Sequence, residues 1–217
     1  MVTKILNLYA CLGGNRFKWD EVAEIQVTAV ELDPELARMY QERFPNDTVI
    51  IADAHQYLLD HYKEFDFIWS SPPCPSHSRA RWWSLGATDK KPVFPDITLY
   101  QEIIFLEYHF SGKYCVENVI PYYDPLIPAN VRGRHLYWTN FKIPLELNDR
   151  KIQIGAGKDE VKRLSGFHKI DLSNYKGNQR KDKIGRNLVD YEAGRTILET
   201  ALGIIRKENV KQTELFL

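Results

Sequence analysis

The segment at residues 69–77, WSSPPCPSH, holds one cysteine, Cys74, within a run of prolines. Pro72, Pro73 and Pro75 each fix a backbone torsion, so they hold the thiol in a stiff loop. Most free cysteines are buried packing residues, which need no such support. A nucleophile needs a thiolate and a fixed direction of attack. The prolines therefore favour Cys74 as a nucleophile.

Glu117 is the candidate acid beside this thiol, because it lies at the end of the neighbouring predicted strand, KYCVEN. A carboxyl group whose pKa is raised by burial can act as a general acid. The alternative is a capping acid, since Asn118 and a turn follow. No histidine is obviously paired with Cys74, although His77 lies three residues on. A base is not needed if the electrophile is itself activated by protonation.

Two glycines and two acids indicate a nucleotide site. Gly13 and Gly14 let a backbone approach a ligand, although a tight turn would use them equally. Glu31 can accept hydrogen bonds from both hydroxyls of a ribose, and Asp53 can accept one from an adenine amino group. Each acid alone is equally a helix cap or a solvated loop residue. Together they favour an adenosine-containing cofactor, and the lack of GxGxxG favours one that is not a dinucleotide.

The elements that must position these groups alternate between strands and helices. Apolar runs predict strands at residues 4–10, 27–32, 47–51, 65–70 and 113–118, with one or two more within 134–143. Helical spacing predicts helices at residues 15–25, 33–44, 54–62, 97–110 and 190–208. The first of the long helices has Asp33 as its predicted N-cap and Pro34 at its first position.

Such alternation is typical of a doubly wound α/β fold with a parallel sheet. Ligands of these folds bind beyond the carboxyl ends of the strands. The chemistry-bearing residues all lie at or just after the carboxyl ends of strands in this prediction: Gly13, Glu31, Asp53, Cys74 and Glu117.

The 217 residues, of which 44% are hydrophobic, suffice for one such domain with a small appendage. We expect no membrane span and a cytoplasmic location, because no 18-residue apolar run and no signal-peptide pattern occurs. The three cysteines are scattered, which fits neither a disulfide framework nor a zinc site.

The net charge of zero hides an asymmetry along the chain. Residues 20–66 carry 12 acidic and three basic side chains, whereas residues 150–186 carry 11 basic and four acidic ones. The basic region is either a solvated face or a surface that meets a polyanion.

The motifs, taken in order, resemble those of the DNA cytosine-5 methyltransferases over about residues 4–143 and 184–204. The S-adenosylmethionine loop of that family is similar to LNLYACLGG, and its ribose and adenine segments are similar to AVELDP and IADA. Its Pro-Cys, Glu-Asn-Val and Gln-x-Arg-x-Arg motifs resemble SPPCPSHS, VENV and NVRGRHLYW. Its Gly-Asn-x-Val motif resembles GRNLV, which precedes the last predicted helix.

The resemblance implies a Rossmann-like S-adenosylmethionine-dependent methyltransferase sheet with a small loop-rich appendage. The implied catalytic residues are Cys74, Glu117, Arg132 and Arg134, and no metal is implied. The cofactor, which leaves as S-adenosylhomocysteine, would contact Tyr9, Ala10, Cys11, Leu12, Gly13, Gly14, Glu31, Leu32, Asp53, Ala54, Pro73, Asn187 and Val189.

The implied mechanism begins with addition of the Cys74 thiolate to carbon 6 of cytosine, which makes carbon 5 able to accept a methyl group. Glu117 would protonate or hydrogen-bond ring nitrogen 3, Arg134 would hold the carbonyl oxygen, and Arg132 would support the site. The base would be flipped out of double-stranded DNA. A loop, or an ordinary surface segment in the alternative, supplies the candidate DNA contacts: Ser78, Arg79, Arg81, Trp82, Trp83, Lys90 and Lys91.

Several positions depart from the family pattern: Asn7, Cys11, Pro75, His77, Asn130 and Arg186. None of them removes a reacting group. Pro75 and His77 stand where the family usually has Gln and Phe, and the sequence offers no physical reason for either.

The resemblance divides the chain into a catalytic domain at 1–144, a reduced target-recognition region at 145–185, a helix returning to the catalytic domain at 186–208, and a tail at 209–217. The small recognition region predicts a short target site or reliance on a partner. The tail, QTELFL, resembles the Gln-x-x-Leu-Phe peptide that binds the bacterial sliding clamp, through Gln212, Leu215 and Phe216. The alternative is a tail that packs on its own domain.

Two other functions remain open at this point. One is an RNA cytosine-5 methyltransferase acting on transfer RNA, because one branch of the family does so. The other is an inactive nucleic-acid-binding homologue, against which the intact Cys74, Glu117 and Arg134 argue. We expect a monomer, encoded by a bacterium or phage and associated with the nucleoid.

Overall fold

The computed structural model describes residues 2–80, 91, 93–155 and 157–204. Its strands are β1 (Thr3–Leu8), β2 (Ile25–Glu31), β3 (Thr48–Ile51), β4 (Phe67–Ser70), β5 (Lys113–Val119), β6 (Asn130–Arg132) and β7 (His135–Thr139). They form a seven-stranded sheet in the order β3-β2-β1-β4-β5-β7-β6. The predicted α/β class with a Rossmann-like sheet is therefore confirmed.

The prediction of a parallel sheet is wrong at one edge. Strands β1 to β5 are parallel, but β7 runs antiparallel to both β5 and β6. Only Gly133 and Arg134 separate β6 from β7, and so short a connection can only reverse the chain. Gly133 has φ +56°, a left-handed conformation that glycine adopts without strain.

The helices are α1 (Pro34–Arg43), α2 (Ala54–His61), α3 (Thr98–His109), α4 (Glu160–His168), α5 (Lys181–Asn187) and α6 (Tyr191–Ala201). Short 3₁₀ helices span Asn15–Glu21, Tyr62–Glu64 and Leu172–Asn174. Asp33 caps α1 as predicted, because its side chain accepts hydrogen bonds from the backbone N–H groups of Glu35 and Leu36.

The helix predicted at residues 15–25 is present as a 3₁₀ helix, but it ends earlier than predicted, at Glu21. Arg16 and Trp19 are both buried there, and a spacing of three residues places them on one face of a 3₁₀ helix. Arg16 pairs with Asp47 at 2.9 Å, and Trp19 Nε1 donates to the Gly194 carbonyl at 3.1 Å. These distant partners outweigh local helix propensity.

Two further predictions about the second half of the chain are wrong in part. The final helix, predicted to run to residue 208, ends at Ala201, because Gly203 turns into φ +69° and the Ile204 N–H donates to the Glu199 carbonyl at 2.8 Å. The region at 145–185 contains α4, a 3₁₀ helix and most of α5, but most of its described residues lie outside helices, in keeping with the loop-rich prediction. Residue 186, assigned to the final helix, belongs to α5.

The core lies on both faces of the sheet, as strand alternation requires. Leu6 and Leu8 of β1 face α2 and α3 through Leu58 and Leu106. Ile5 points the other way, into a cluster formed with the first 3₁₀ helix and α6. Within the described part of the chain, no helix is both long and apolar enough to cross a membrane.

The helices of residues 160–187 pack near the carboxyl ends of β1 and β2. A third apolar cluster connects this region to α1 and to the loop that follows β1. Its members are Leu12, Leu36, Met39, Leu164, Leu172, Tyr175, Ile184 and Leu188. The appendage therefore covers the edge of the sheet where ligands of such folds bind.

Candidate active site

A cavity of about 510 Å³ lies beyond the carboxyl ends of β1, β2, β4 and β5. This volume is in the usual range for a small-molecule site. Its lining includes acids, a thiol and prolines from the sheet side, namely Tyr9, Cys11, Glu31, Leu32, Asp53, Ala54, Pro73, Cys74 and Glu117.

Glu31 forms one end of the cavity and holds the loop after β1. Its carboxylate accepts the Cys11 N–H at 2.8 Å through Oε2 and the Asp33 N–H at 2.9 Å through Oε1. Each oxygen keeps a lone pair for a further donor, such as a ribose hydroxyl. Asp53 likewise lines the cavity while capping α2, because it accepts the Gln56 N–H at 2.9 Å. The helix-cap alternative and the binding prediction are thus compatible for this residue.

The two glycines of the same loop serve close packing. Gly13 has φ +65°, and a Cβ there would lie 2.4 Å from the ring of Phe44. A Cβ on Gly14 would lie 2.5 Å from the Val189 carbonyl oxygen. Larger residues would push the loop away from α1 and from the segment before α6. These glycines therefore shape the cavity wall without lining the cavity.

The loop that carries Cys74 is fixed by backbone and side-chain hydrogen bonds. Asn118 Nδ2 donates to the Pro72 carbonyl at 2.9 Å. The N–H groups of His77 and Ser78 both donate to the Cys74 carbonyl at 3.0 Å. The thiol itself lies in the cavity, as the prolines predict, where Cys74 Sγ is 3.9 Å from Asn187 Oδ1.

The charges around Cys74 oppose each other. Burial and then the nearby Glu117 raise the pKa of the thiol, whereas the cations of Lys183 and Arg134 lower it. The net effect is an upward shift, so the resting thiol is protonated at neutral pH. Attack therefore requires the thiol to lose its proton, and these two cations favour that loss.

Glu117 lies in the same cavity as Cys74 and is buried. Burial raises the pKa of its carboxyl group to about 7, although a hydrogen bond from Ser71 and the charge of Arg134 oppose the rise. Its Oε1 lies 3.7 Å from Nε2 of His135. Burial and the charge of Arg134 lower the pKa of that imidazole to about 3. A carboxyl group that is neutral near neutral pH can donate a proton, and the role of Glu117 as the acid stays a prediction.

The two arginines predicted to act together lie in different surroundings. Arg134 lines an adjoining cavity of about 310 Å³, and His135 lines both this cavity and the first one. Its Nη2 donates to the Arg186 carbonyl at 3.2 Å. Arg132 donates to the Pro144 and Val131 carbonyls at 2.6 and 2.8 Å and lines neither cavity. The roles of both arginines stay predictions.

One wall of the cavity consists of Gln179, Lys183, Arg186 and Asn187. Gln179 and Lys183 belong to the appendage, which the sequence did not assign to the cavity, whereas Asn187 was a predicted cofactor contact. Tyr175 Oη and Gln179 Nε2 donate to Asp33 Oδ2 at 2.8 and 2.9 Å, which ties the appendage to the start of α1. The basic composition of residues 150–186 was the only signal of this region, and it pointed to a polyanion.

His77, whose presence the sequence left unexplained, has a packing role. It is 1% exposed, and its Nδ1 lies 2.5 Å from the hydroxyl of Tyr123. Its backbone carbonyl accepts the Tyr122 N–H at 3.1 Å. The Cys74 loop is thereby joined to the segment that follows Glu117. The structure gives no reason for Pro75.

Three of the predicted DNA contacts are described. Ser78 pairs with Pro121 in an isolated bridge, Arg79 Nε donates to the Pro121 carbonyl at 3.0 Å, and Lys91 is exposed. The others, together with the clamp-binding residues, lie outside the described residues: Arg81, Trp82, Trp83, Lys90, Gln212, Leu215 and Phe216. In the described ranges no three potential metal ligands cluster.

Residues 3–106 match the family described as "C-5 cytosine-specific DNA methylase". This match spans 104 of the 217 residues and supports the cytosine-5 methyltransferase family for this chain. S-Adenosylmethionine is accordingly its methyl donor, as predicted. A search of curated proteins found no match to this methyltransferase.

One solved methyltransferase structure shares this fold over nearly the whole chain, and two others are similar to about half of it. The Entamoeba histolytica methyltransferase EhMeth is 9% identical with a TM-score of 0.52, over 94% of this chain and 98% of its own. Spodoptera frugiperda DNMT2 is 23% identical with a TM-score of 0.39, over 54% of this chain and 35% of its own. A SAM-dependent methyltransferase from Agrobacterium tumefaciens is 14% identical with a TM-score of 0.41, over 57% and 40%.

The cavity of this methyltransferase fits the methyl donor chemically. Glu31 and Asp53 offer acceptors for hydroxyl and amino groups, and Leu32 and Leu36 offer apolar surface. The predicted contacts that line the cavity are Tyr9, Cys11, Glu31, Leu32, Asp53, Ala54, Pro73 and Asn187, and those that do not are Ala10, Leu12, Gly13, Gly14 and Val189. The individual contacts stay predictions.

Proposed function

We propose that this methyltransferase methylates carbon 5 of cytosine in double-stranded DNA through a covalent adduct of Cys74. The observation that carries the proposal is that Cys74 and Glu117 share one cavity with Glu31 and Asp53. A nucleophile and an acid thus lie beside acceptors suited to an adenosine.

Carbon 5 of cytosine is a poor nucleophile until a thiolate adds at carbon 6. Cys74 supplies that thiolate after its proton has left to solvent, and Glu117 donates a proton or hydrogen bond to ring nitrogen 3. S-Adenosylmethionine, when bound, supplies the electrophilic methyl group. Loss of the carbon 5 proton then lets Cys74 depart, which restores the thiolate and the aromatic ring.

The raised pKa of Glu117 supports this role because its carboxyl group is half protonated at about pH 7. His135 beside it is neutral and does not compete as a cation. A cytosine inside a duplex cannot reach the buried carboxyl group, so the base must leave the stack.

A covalent trap tests the proposal. A pool of random-sequence duplexes in which 5-fluorocytosine replaces cytosine is incubated with protein and S-adenosylmethionine, then run on a denaturing gel. Fluorine blocks loss of the carbon 5 substituent, so the adduct persists. We expect an adduct from the wild type and from Cys115→Ala, whose thiol is buried in β5 away from the cavity, and none from Cys74→Ala.

The same trap with 5-fluorocytidine in transfer RNA separates the two nucleic acids. An adduct with the RNA and none with the DNA would show that the substrate is RNA and would refute the proposed DNA substrate. An adduct from Cys74→Ala as strong as that of the wild type would refute the covalent mechanism.

A further inference from the structure

A second carboxylate, Glu102 of α3, is buried beneath the cavity and has no part in the mechanism above. Its exposure is 0%. A buried carboxylate is strongly unfavourable unless it is paired and hydrogen-bonded. Glu102 accepts from Tyr9 Oη and Ser70 Oγ, each at 2.6 Å, and lies 3.1 Å from Nδ1 of His55. Both of its oxygens are therefore in use.

The three partners of Glu102 come from elements that meet beside the cavity. Ser70 ends β4 and pairs with Leu8, which ends β1, in the parallel register of the two strands. Tyr9 follows Leu8 directly, and His55 is in the first turn of α2. One carboxylate thus joins the root of the cofactor loop, the root of the Cys74 loop and the start of a helix.

Tyr9 needs such a support because its backbone is unusual. Its φ is +55°, a left-handed conformation that a non-glycine residue holds only when its surroundings impose it. Tyr9 lines the cavity, and its hydroxyl donates to Glu102. Burial and Glu102 raise the pKa of this hydroxyl, so it stays protonated and donates.

His55 is the third partner of the buried carboxyl group of Glu102. The hydrogen bond to Glu102 raises the pKa of the imidazole above its usual value, against the effect of burial. Asp53 and Asp96 also face this imidazole and act in the same direction. The imidazole can therefore carry a positive charge beside Glu102 at a higher pH than an ordinary histidine would.

We propose that Glu102 is a positioning residue that holds Tyr9 against the bound methyl donor and Ser70 at the root of the Cys74 loop. It acts through these side chains and fixes the spacing between the donor site and the nucleophile. The proposal rests on S-adenosylmethionine as donor and is independent of the nucleic-acid substrate, so its test needs no methyl transfer.

Calorimetry with S-adenosylhomocysteine tests the proposal on Tyr9→Phe, Glu102→Gln and the double variant. We expect Tyr9→Phe to weaken binding about threefold to tenfold and Glu102→Gln by about tenfold or more. The double variant should bind no more weakly than Glu102→Gln, because both changes remove the same interaction.

The chain offers a matched control on the same helix. Tyr114 Oη donates to Glu107 Oε2 at 2.6 Å, the same bond at the same length, and neither residue lines the cavity. Tyr114→Phe should leave the affinity for S-adenosylhomocysteine unchanged. In NMR titrations, the pKa of His55 should fall in Glu102→Gln and stay unchanged in Tyr114→Phe.

Several results would overturn the proposal. These are wild-type affinity in Tyr9→Phe, additive losses in the double variant, or an unchanged pKa of His55 in Glu102→Gln. If Glu102→Gln does not fold, the comparison of Tyr9→Phe with Tyr114→Phe decides alone, since each change removes one hydroxyl.

Discussion

The carboxyl group of Glu117 lies 3.7 Å from the imidazole of His135, yet the two do not form an ion pair near neutral pH. Burial raises the pKa of Glu117 to about 7 and lowers that of His135 to about 3, so each group is pushed toward its neutral form. A carboxyl group kept neutral in this way can donate to a ring nitrogen.

The shifted pKa of Glu117 predicts a pH dependence of stability. The unfolded chain loses this proton near pH 4.5, whereas the folded chain keeps it to about pH 7. The contribution of Glu117 is therefore full below pH 4.5, declines between these values and is lost above about pH 7. The total change is about 3 kcal/mol.

Glu117→Gln, which cannot titrate, isolates this effect. Between pH 4.5 and pH 8 the wild type should lose about 3 kcal/mol of unfolding free energy relative to Glu117→Gln. Urea unfolding at the two pH values measures it. An equal difference at both pH values would contradict the raised pKa.

The proposed acid role of Glu117 predicts that Glu117→Gln also slows methyl transfer by about a hundredfold or more.

Lys183 is predicted to favour ionisation of Cys74. It is an exposed cation of the cavity wall, one helical turn before Asn187, which contacts the thiol. Lys183→Met should slow alkylation of Cys74 by neutral iodoacetamide about threefold to tenfold below the pKa of the thiol. Peptide mass spectrometry gives the rate at each pH.

Lys181→Met is the control for Lys183, because the ammonium of Lys181 donates to the Ser173 carbonyl at 2.6 Å and lies outside the cavity wall. This variant should react as fast as the wild type. The effect of Lys183→Met should also shrink at molar salt, since exposed charges are screened. A salt-independent effect would indicate a change of shape instead of charge.

The bond between His77 and Tyr123 is predicted to stabilise the Cys74 loop. A cycle of His77→Phe, Tyr123→Phe and the double variant should give a coupling of about 1 kcal/mol in urea unfolding. Phe keeps the ring volume, so the cycle reports the hydrogen bond. Additive losses would show that the 2.5 Å contact contributes nothing to stability.

Tyr175→Phe is predicted to loosen the wall that the appendage adds to the cavity. The hydroxyl that is removed bonds to Asp33 Oδ2, while Oδ1 of that residue still caps α1. Proteolysis within residues 157–187 should become faster, corresponding to about 1 kcal/mol. Tyr57→Phe is the control, because Tyr57 stacks on His61 and lies outside the cavity. Equal cleavage rates in both variants would argue against the proposed tie.

Local patterns were sufficient to predict the parallel part of the fold and one side of the site. Strand ends placed Glu31, Asp53, Cys74 and Glu117 together because parallel strands deliver their carboxyl ends to one edge. Each of these residues belongs to a short motif whose meaning does not depend on distant contacts. The family match covers most of this region, residues 3–106.

The remainder depended on contacts between distant segments. Tyr175 and Asp33 lie 142 residues apart in sequence, so no spacing could indicate their bond. His77 and Glu102 have no pattern of their own, because each takes its role from a partner on another element. The antiparallel edge depended on a two-residue turn that a propensity argument does not distinguish from a loop.

The direct contact between α6 and the first 3₁₀ helix has a consequence for biosynthesis. A Cβ on Gly194 would lie 2.2 Å from the backbone oxygen of Asn15, so α6 rests on the 3₁₀ helix with no side chain between them. The segment before α6 closes on Gly14 in the same way. A ribosome that has made only the first five strands has therefore not yet made the surface that holds this loop. Pocket assembly on a nascent chain should wait until residue 194 has left the exit tunnel.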